Sequence, residues 1–347
     1  MTPAASGSTS SLPTVSVIIP THRRAAMLEQ VLRPLLDDPA AIQVVVVVDG
    51  SRDGSIELLD GIAESDPRLE PMFVEHRGKP AACEAALARA LGEVVLLLDD
   101  DVMALPGLVS GHARHHARAK GLVVMGYMPV ALPARRRAGD SPTFLYAAEY
   151  EAHCAQLERH PDRVLSGLWG GNISLRRDDY TTVGPSSPRF PDLYHEDQDL
   201  GLRCLRAGLT GVFDRSLAAR HLHHRTIEAF LRDCRSHGAG RWLVHELHGD
   251  LLGRLDPTIF EEGLPRPARW LVRACRHPRV AAAATSLCTG TARAGGALEV
   301  FGVEMAAIRL ARRFQQQVGA SLLAGRRVTA EEMSRGTPGH APASTTG

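Results

Sequence analysis

The sequence predicts an α/β protein: a mostly parallel sheet with helices on its faces, followed by a helical extension. Two observations predict it. Short apolar runs rich in Val and Ile alternate with helical patterns through the first hundred residues, and carboxylates sit just past the ends of those runs. Such alternation marks parallel strands joined by right-handed crossovers. In sheets of this kind ligands gather beyond the carboxyl ends of the strands, so the carboxylates mark the edge that would hold a site.

The elements follow in order. Val15 to Ile19 (VSVII) is a β-branched run stopped by Pro20-Thr21, the pattern of a strand buried on both faces. From Ala25 to Leu36, residues Met27, Leu28, Val31, Leu32 and Leu35 fall at helical spacing. Gln43 to Val48 predicts a second buried strand, ended by Asp49-Gly50-Ser51. A helix over 55–63, a strand over 70–75 and an Ala-rich helix over 80–91 come next. Val94 to Leu98 (VVLLL) predicts a fourth strand that runs straight into Asp99-Asp100-Asp101. Beyond residue 120 the pattern mixes. Strands are expected at 122–125, 211–213 and 218–221, and a Gly-rich turn and strand at 168–175. Helices are expected at 144–158, 196–207, 228–244 and 297–318. Four regions result: a disordered start (1–13), an α/β domain (14–245), a helical extension (246–325) and a Gly/Pro/Ser/Thr-rich disordered tail (326–347).

Composition narrows the function classes. With 347 residues, 44% apolar and 23% charged, the chain can bury a sizeable core. A formal net charge of +1 gives no reason to expect nucleic acid as a partner, and the abundant arginines read as dispersed rather than patched. The six cysteines (83, 154, 204, 234, 275 and 288) include no C-x-x-C pair, so buried free thiols in a reducing cytoplasm are expected. The first residues lack the basic start and apolar run of a signal peptide. The longest uncharged stretches, Gly121 to Ala134 and Val280 to Ala292, are shorter than the roughly 20 residues needed to span a bilayer. A cytoplasmic protein is expected. Within 250–325 an amphipathic helix touching the inner face of the membrane is the alternative to simple packing on the α/β domain.

The run Asp99-Asp100-Asp101 carries the most chemistry. Three adjacent carboxylates repel one another; a divalent cation relieves that repulsion, and hard oxygen ligands favour Mg or Mn. The bland alternative is a solvated loop capping the next helix. Glu196-Asp197 opens a helix, where acids suit both the helix dipole and proton abstraction. His221-x-His223 on a strand places two rings on one face.

The segments VSVIIPTHRR, VVVVVDGSRDGS, GKPAACEAALARALGEVVLLLDDD, GLWGGNISLRR and HEDQDLGLRCLRAG occur in that order. Together, over residues 14 to 245, they resemble glycosyltransferase family 2, of the GT-A fold. The resemblance implies an inverting transferase that uses a nucleotide-sugar donor, with uracil the usual base, and Mn or Mg as cofactor. It implies that Pro20 and Thr21 lie beside the base, that Asp49 hydrogen-bonds it, and that Arg23 and Lys79 meet the diphosphate. Asp99 and Asp101 become the D-x-D motif, with Asp101 a metal ligand, Asp99 a second ligand or a ribose contact, and Asp100 facing the ribose. Asp197 becomes the general base and Glu196 a contact to sugar hydroxyls. Trp169 and Gly171 lie under the donor sugar, and His221 or His223 completes the metal shell. Two positions depart from the pattern: Val48 replaces the first acid of an Asp-Asp pair, and Cys83-Glu84 replaces Arg-Asn. The acceptor is left open between a glycan, a lipid-linked molecule and a small molecule, in cell-wall or polysaccharide synthesis. Two other classes stay open: a nucleotidyltransferase, and an inactive GT-A fold that binds partners.

Overall fold

The computed structural model describes residues 11–335 except 186, 188, 191 and 192, and only the backbone of 326–335. By internal contacts the chain forms two compact units, Met1–Arg136 with Pro142–Arg225, and Arg137–Ser141 with Thr226–Gly347.

The first unit contains all eight strands, in the order β3-β2-β1-β4-β7-β6-β8-β5. Strands β1 (Val15–Thr21), β2 (Ala41–Asp49), β3 (Leu69–Val74) and β4 (Val94–Leu98) are mutually parallel, as the alternation predicts. Val44 to Val48 and Val94 to Leu96 are wholly buried, because helices cover both faces of the sheet. The crossover helices are α1 (Ala25–Leu36), α2 (Ser55–Ala63) and α3 (Lys79–Leu87). Past β4 the sheet becomes mixed. Strand β7 (Asn172–Arg176) runs antiparallel to both β4 and β6 (Leu122–Tyr127).

Two features lie outside the sequence expectations. A three-residue strand, β5 (Val102–Ala104), directly follows the acidic run, and the two short strands expected after 210 are one long strand, β8 (Thr210–His221), with a register break where it passes Gly126/Tyr127. β5 pairs antiparallel with β8 in the register Val102↔His221. That pairing fixes which histidine meets which aspartate.

Helices α4 (Leu108–Arg118), α5 (Ser141–Arg159), α6 (Arg177–Val183) and α7 (Glu196–Arg206) complete the unit. His112 and His116 of α4 lie buried against β7. His112 bonds Ser174 Oγ (2.8 Å) and Asn172 Oδ1 (2.9 Å), and His116 Nε2 bonds Ser174 Oγ (2.8 Å). Burial pushes the two imidazoles down to about 3 and about 4, so both are neutral.

The second unit is helical: α8 (Ile227–Leu247), α9 (Gly249–Leu252), α10 (Arg266–Ala274), α11 (Pro278–Ala297) and α12 (Phe301–Arg335). The sequence places the change of domain at 245/246. By contacts it falls at Arg225/Thr226, because α8 packs along α12. The close approach needs small residues: a Cβ on Gly238 or Gly319 would strike the backbone of the opposite helix. The tail expected to lack order from 326 continues α12 to Arg335, and 336–347, like 1–10, lie outside the described residues. All six cysteines are free and buried, Cys83, Cys154 and Cys204 in the first unit and Cys234, Cys275 and Cys288 in the second. Among the described residues no helix is long and apolar enough to cross a membrane.

Candidate active site

The carboxyl ends of β1, β2 and β4 and the start of α7 converge on one set of acids. The decisive contact is Lys79, at the start of α3. Its Nζ lies 2.8 Å from Asp99 Oδ1 and 3.4 Å from Glu196 Oε1. One ammonium thus bridges two acidic clusters a hundred positions apart. Burial alone would pull the Lys79 ammonium down; Asp99 and Glu196 outweigh it and hold it well above its ordinary value.

The three aspartates face different partners. Asp99 pairs with Lys79. Asp100 accepts from Thr21 Oγ1 (2.7 Å) and from the backbone N–H of His22 (3.4 Å). Burial, reinforced by the charge of Asp101, pushes the Asp100 carboxyl up to about 6. Asp101 is 5% exposed and meets His221 Nε2 at 3.1 Å and Arg24 at 3.3 Å. Burial opposes its ionisation, yet His221, Arg24 and His223 outweigh burial and hold its carboxyl well below the usual range.

Asp101, His221 and His223 offer ligand atoms that all lie within 4.8 Å of one another. His223 is pushed down to about 3, by burial first and then by His221 and Arg225, and is therefore a neutral donor. His221 Nδ1 is buried with no hydrogen-bond partner among the described residues. Tyr146 of α5 stacks on His223 (4.2 Å between centroids) and meets His221 edge-on (5.5 Å). One carboxylate and two imidazoles are a donor set that fits a divalent transition metal.

Glu196 and Asp197 open α7 just after His195, a non-glycine residue at φ 75°. Asp197 Oδ2 accepts from Gly170 N–H (2.6 Å) and Oδ1 from Gln198 N–H (2.8 Å). Burial, with the charge of Asp197, pushes Glu196 up to about 7, and burial also raises Asp197. Gly171 sits between the two clusters at φ 99°, and a Cβ there would stand 2.8 Å from Asp99 Oδ2. Backbone and carboxylate approach this closely only because the residue is glycine.

Residues 16–183 match the sequence profile described as glycosyl transferase family 2. An uncharacterized glycosyltransferase of Haemophilus influenzae is 31% identical over 206 residues, covering 56% of this chain and 73% of that one. The chain belongs to glycosyltransferase family 2. Validoxylamine A glucosyltransferase of Streptomyces hygroscopicus subsp. jinggangensis is 32% identical over 250 residues, 64% of this chain and 59% of its own length. The chain therefore spans less than two thirds of that relative. In fold it is similar to a mannosyltransferase from Pyrobaculum calidifontis, solved in complex with GDP-Man and Mn2+, at a TM-score of 0.55 and 18% identity, covering 91% of this chain and 88% of that one.

Within this family 2 chain, Thr21, Lys79, Asp99, Asp100, Asp101, Gly171, Glu196, Asp197, His221 and His223 come together, and Pro20 leads into Thr21. Three further expected residues have contacts of their own. Arg23 is exposed at φ 56°, and that backbone turn delivers Arg24 instead to the acids. Trp169 is half-buried in an aromatic cluster, edge-on to Tyr146 (5.5 Å) and Tyr150 (5.3 Å). Asp49 directs both oxygens to the 76–78 loop: Oδ1 accepts from Arg77 N–H (2.9 Å), and Oδ2 meets Gly78 N–H (3.0 Å) and His76 Nδ1 (2.8 Å). A carboxylate has about four acceptor positions, so a base contact there competes with a carboxylate already engaged. His76 and His22 stack beside it, centroids 4.6 Å apart. Nothing in the pattern of residues marks His22, His76 or Tyr146. Arg24 was visible as the second arginine of the pair after Thr21-His22.

Proposed function

We propose that this glycosyltransferase moves a sugar from a nucleoside-diphosphate sugar, a UDP-sugar by the family's habit, to an acceptor hydroxyl with inversion at the anomeric carbon. The bridge from Asp99 through Lys79 to Glu196 supports this reading, because it holds the acidic run beside the Glu196–Asp197 pair.

The chain's own residues take the following parts. Thr21, Asp100 and the His22/His76 stack border the nucleoside. Arg24 and Lys79 are cations close enough to the acids to turn toward a diphosphate. Asp99 faces the sugar–phosphate junction. Asp101, with His221 and His223, would hold a divalent cation, whose chemistry is to offset the charge that builds on the departing diphosphate. Asp197 takes the acceptor's proton as the acceptor oxygen bonds to the anomeric carbon; the bond from that carbon to the diphosphate oxygen breaks, and its electron pair leaves with the nucleoside diphosphate. A carboxylate raised by burial is a stronger base once ionised, and two backbone N–H groups keep it aimed.

The test is turnover of labelled nucleotide sugars with Mn, by the native chain and by Asp197→Asn, with donor binding measured alongside. A variant that binds donor but no longer transfers sugar agrees with the proposal. Transfer of the nucleoside monophosphate of a triphosphate to an acceptor, with release of pyrophosphate, would indicate a nucleotidyltransferase instead.

A further inference from the structure

Residues 263–298 of the helical unit contain six arginines (266, 269, 273, 276, 279 and 293) and no Asp or Glu. A near-neutral whole conceals this segment. Arg273 pairs with Glu261 and Arg293 with Glu228, and Arg269 Nε donates to the Leu264 carbonyl. Arg266, Arg276 and Arg279 are exposed, and among the described residues their guanidinium groups have no partner.

The same segment exposes large apolar groups. On α10, Val272 is buried, while Trp270 is 77% exposed and Leu271 38%. Arg266, Arg269 and Arg273 recur at i, i+3 and i+7 along one edge of this helix, and Trp270, one turn after Arg266, stands beside them. On α11, Ala281, Cys288, Ala292 and Gly295 are buried. The opposite face shows an uncharged exposed stripe of Val280, Ala283, Leu287, Gly290 and Ala294, with Leu287 73% exposed. Helix α11 is thus apolar on two sides, and among the described residues one of them is left exposed.

Arginines beside an exposed tryptophan and a strip of aliphatic side chains match the two layers of a bilayer surface: phosphate outside, acyl chains beneath. A second copy of the chain would bring the exposed Arg266, Arg276 and Arg279 against their like, which opposes pairing through this face. We propose that the α10–α11 surface docks on an anionic lipid bilayer, with the unpaired arginines on lipid phosphates and Trp270 and Leu287 inserted at the interface. This goes beyond the transfer reaction and does not depend on it, since vesicle binding needs no donor.

The experiment is co-sedimentation of the full chain with phosphatidylcholine vesicles, with and without phosphatidylglycerol. The native chain is expected to partition onto the anionic vesicles only, and to be released in about 1 M salt, where the Debye length is about 3 Å. Each arginine near an anionic surface contributes about five-fold to partitioning, so reversing both charges in R276E/R279E should lower it at least about 25-fold. Trp270→Ser and Leu287→Ser read the apolar half separately, and either should weaken binding while the melting curve stays native. Equal binding to neutral vesicles, or unchanged binding by all three variants, overturns the proposal. So does a dimer in lipid-free buffer that R276E/R279E dissociates.

Discussion

Replacing Asp197 by Asn keeps the side chain's shape and removes its ability to take a proton. The structural cost is bounded by two contacts. The carboxylate now accepts from Gly170 N–H at 2.6 Å and Gln198 N–H at 2.8 Å. An amide presents one oxygen and one NH2, so one of these bonds is lost, at about 1–2 kcal/mol. In a unit of this size that lowers the melting temperature by about 2–4 °C per kcal/mol. The catalytic cost is larger: a positioned general base contributes about 10²–10⁴ in rate, or roughly 3–5 kcal/mol of barrier. The assay measures donor affinity by calorimetry with Mn and turnover of the same donor across pH. The native enzyme should lose rate as pH falls, because burial raises the Asp197 carboxyl above its ordinary value and Asp197 is protonated earlier than a free aspartate. The Asn variant should keep donor affinity within about three-fold and turn over at least about a hundred-fold more slowly. Turnover within ten-fold of native at unchanged affinity would refute Asp197 as the base, and so would a variant whose only defect is donor binding.

Three further outcomes are expected. Asp101→Ala and His221→Ala should each abolish the Mn-dependent part of donor binding in calorimetry while leaving the fold intact; retained Mn dependence in both counts against the Asp101–His221–His223 site. Gly171→Ala places a Cβ 2.8 Å from Asp99 Oδ2 and 2.9 Å from Met128 Sδ at φ 99°, so stability should fall by about 1–3 kcal/mol and activity with it, measured by denaturant unfolding and turnover. Acid should destabilise the first unit. His112 and His116 have folded values of about 3 and about 4, below the unfolded value near 6.5. The unfolded chain therefore binds their protons first: stability is full above pH 6.5 and falls as pH drops toward 4. The slope is up to about 1.4 kcal/mol per pH unit for each histidine, and His116→Asn should reduce it in urea titrations.

What the sequence disclosed follows from what is periodic and contiguous. The parallel strands β1 to β4 are unbroken β-branched runs, and their helices repeat at 3.6 residues, so both were legible. The acids 99–101 and 196–197 stood out because several carboxylates fall together at element ends. The rest depends on pairing and on single torsions. Three-residue β5 is too short to show a period, yet its register with β8 sets His221 against Asp101. The direction of β7 is decided by where the chain returns, not by its own side chains. Arg24 rather than Arg23 reaches the acids because one residue turns left-handed, a choice invisible in two adjacent arginines. The basic segment 263–298 vanished into a whole-chain charge of +1, since an average over the chain erases a local excess.

The six buried thiols have a practical consequence. Burial pushes Cys83 and Cys204 up to about 12 and Cys154 and Cys275 up to about 11, and a protonated, covered sulfur scarcely reacts with alkylating reagents. Labelling must wait until the surrounding structure opens. Because three cysteines belong to each unit, peptide mass mapping of timed alkylation would clock the breathing of the catalytic half and the helical half separately, in the unaltered protein.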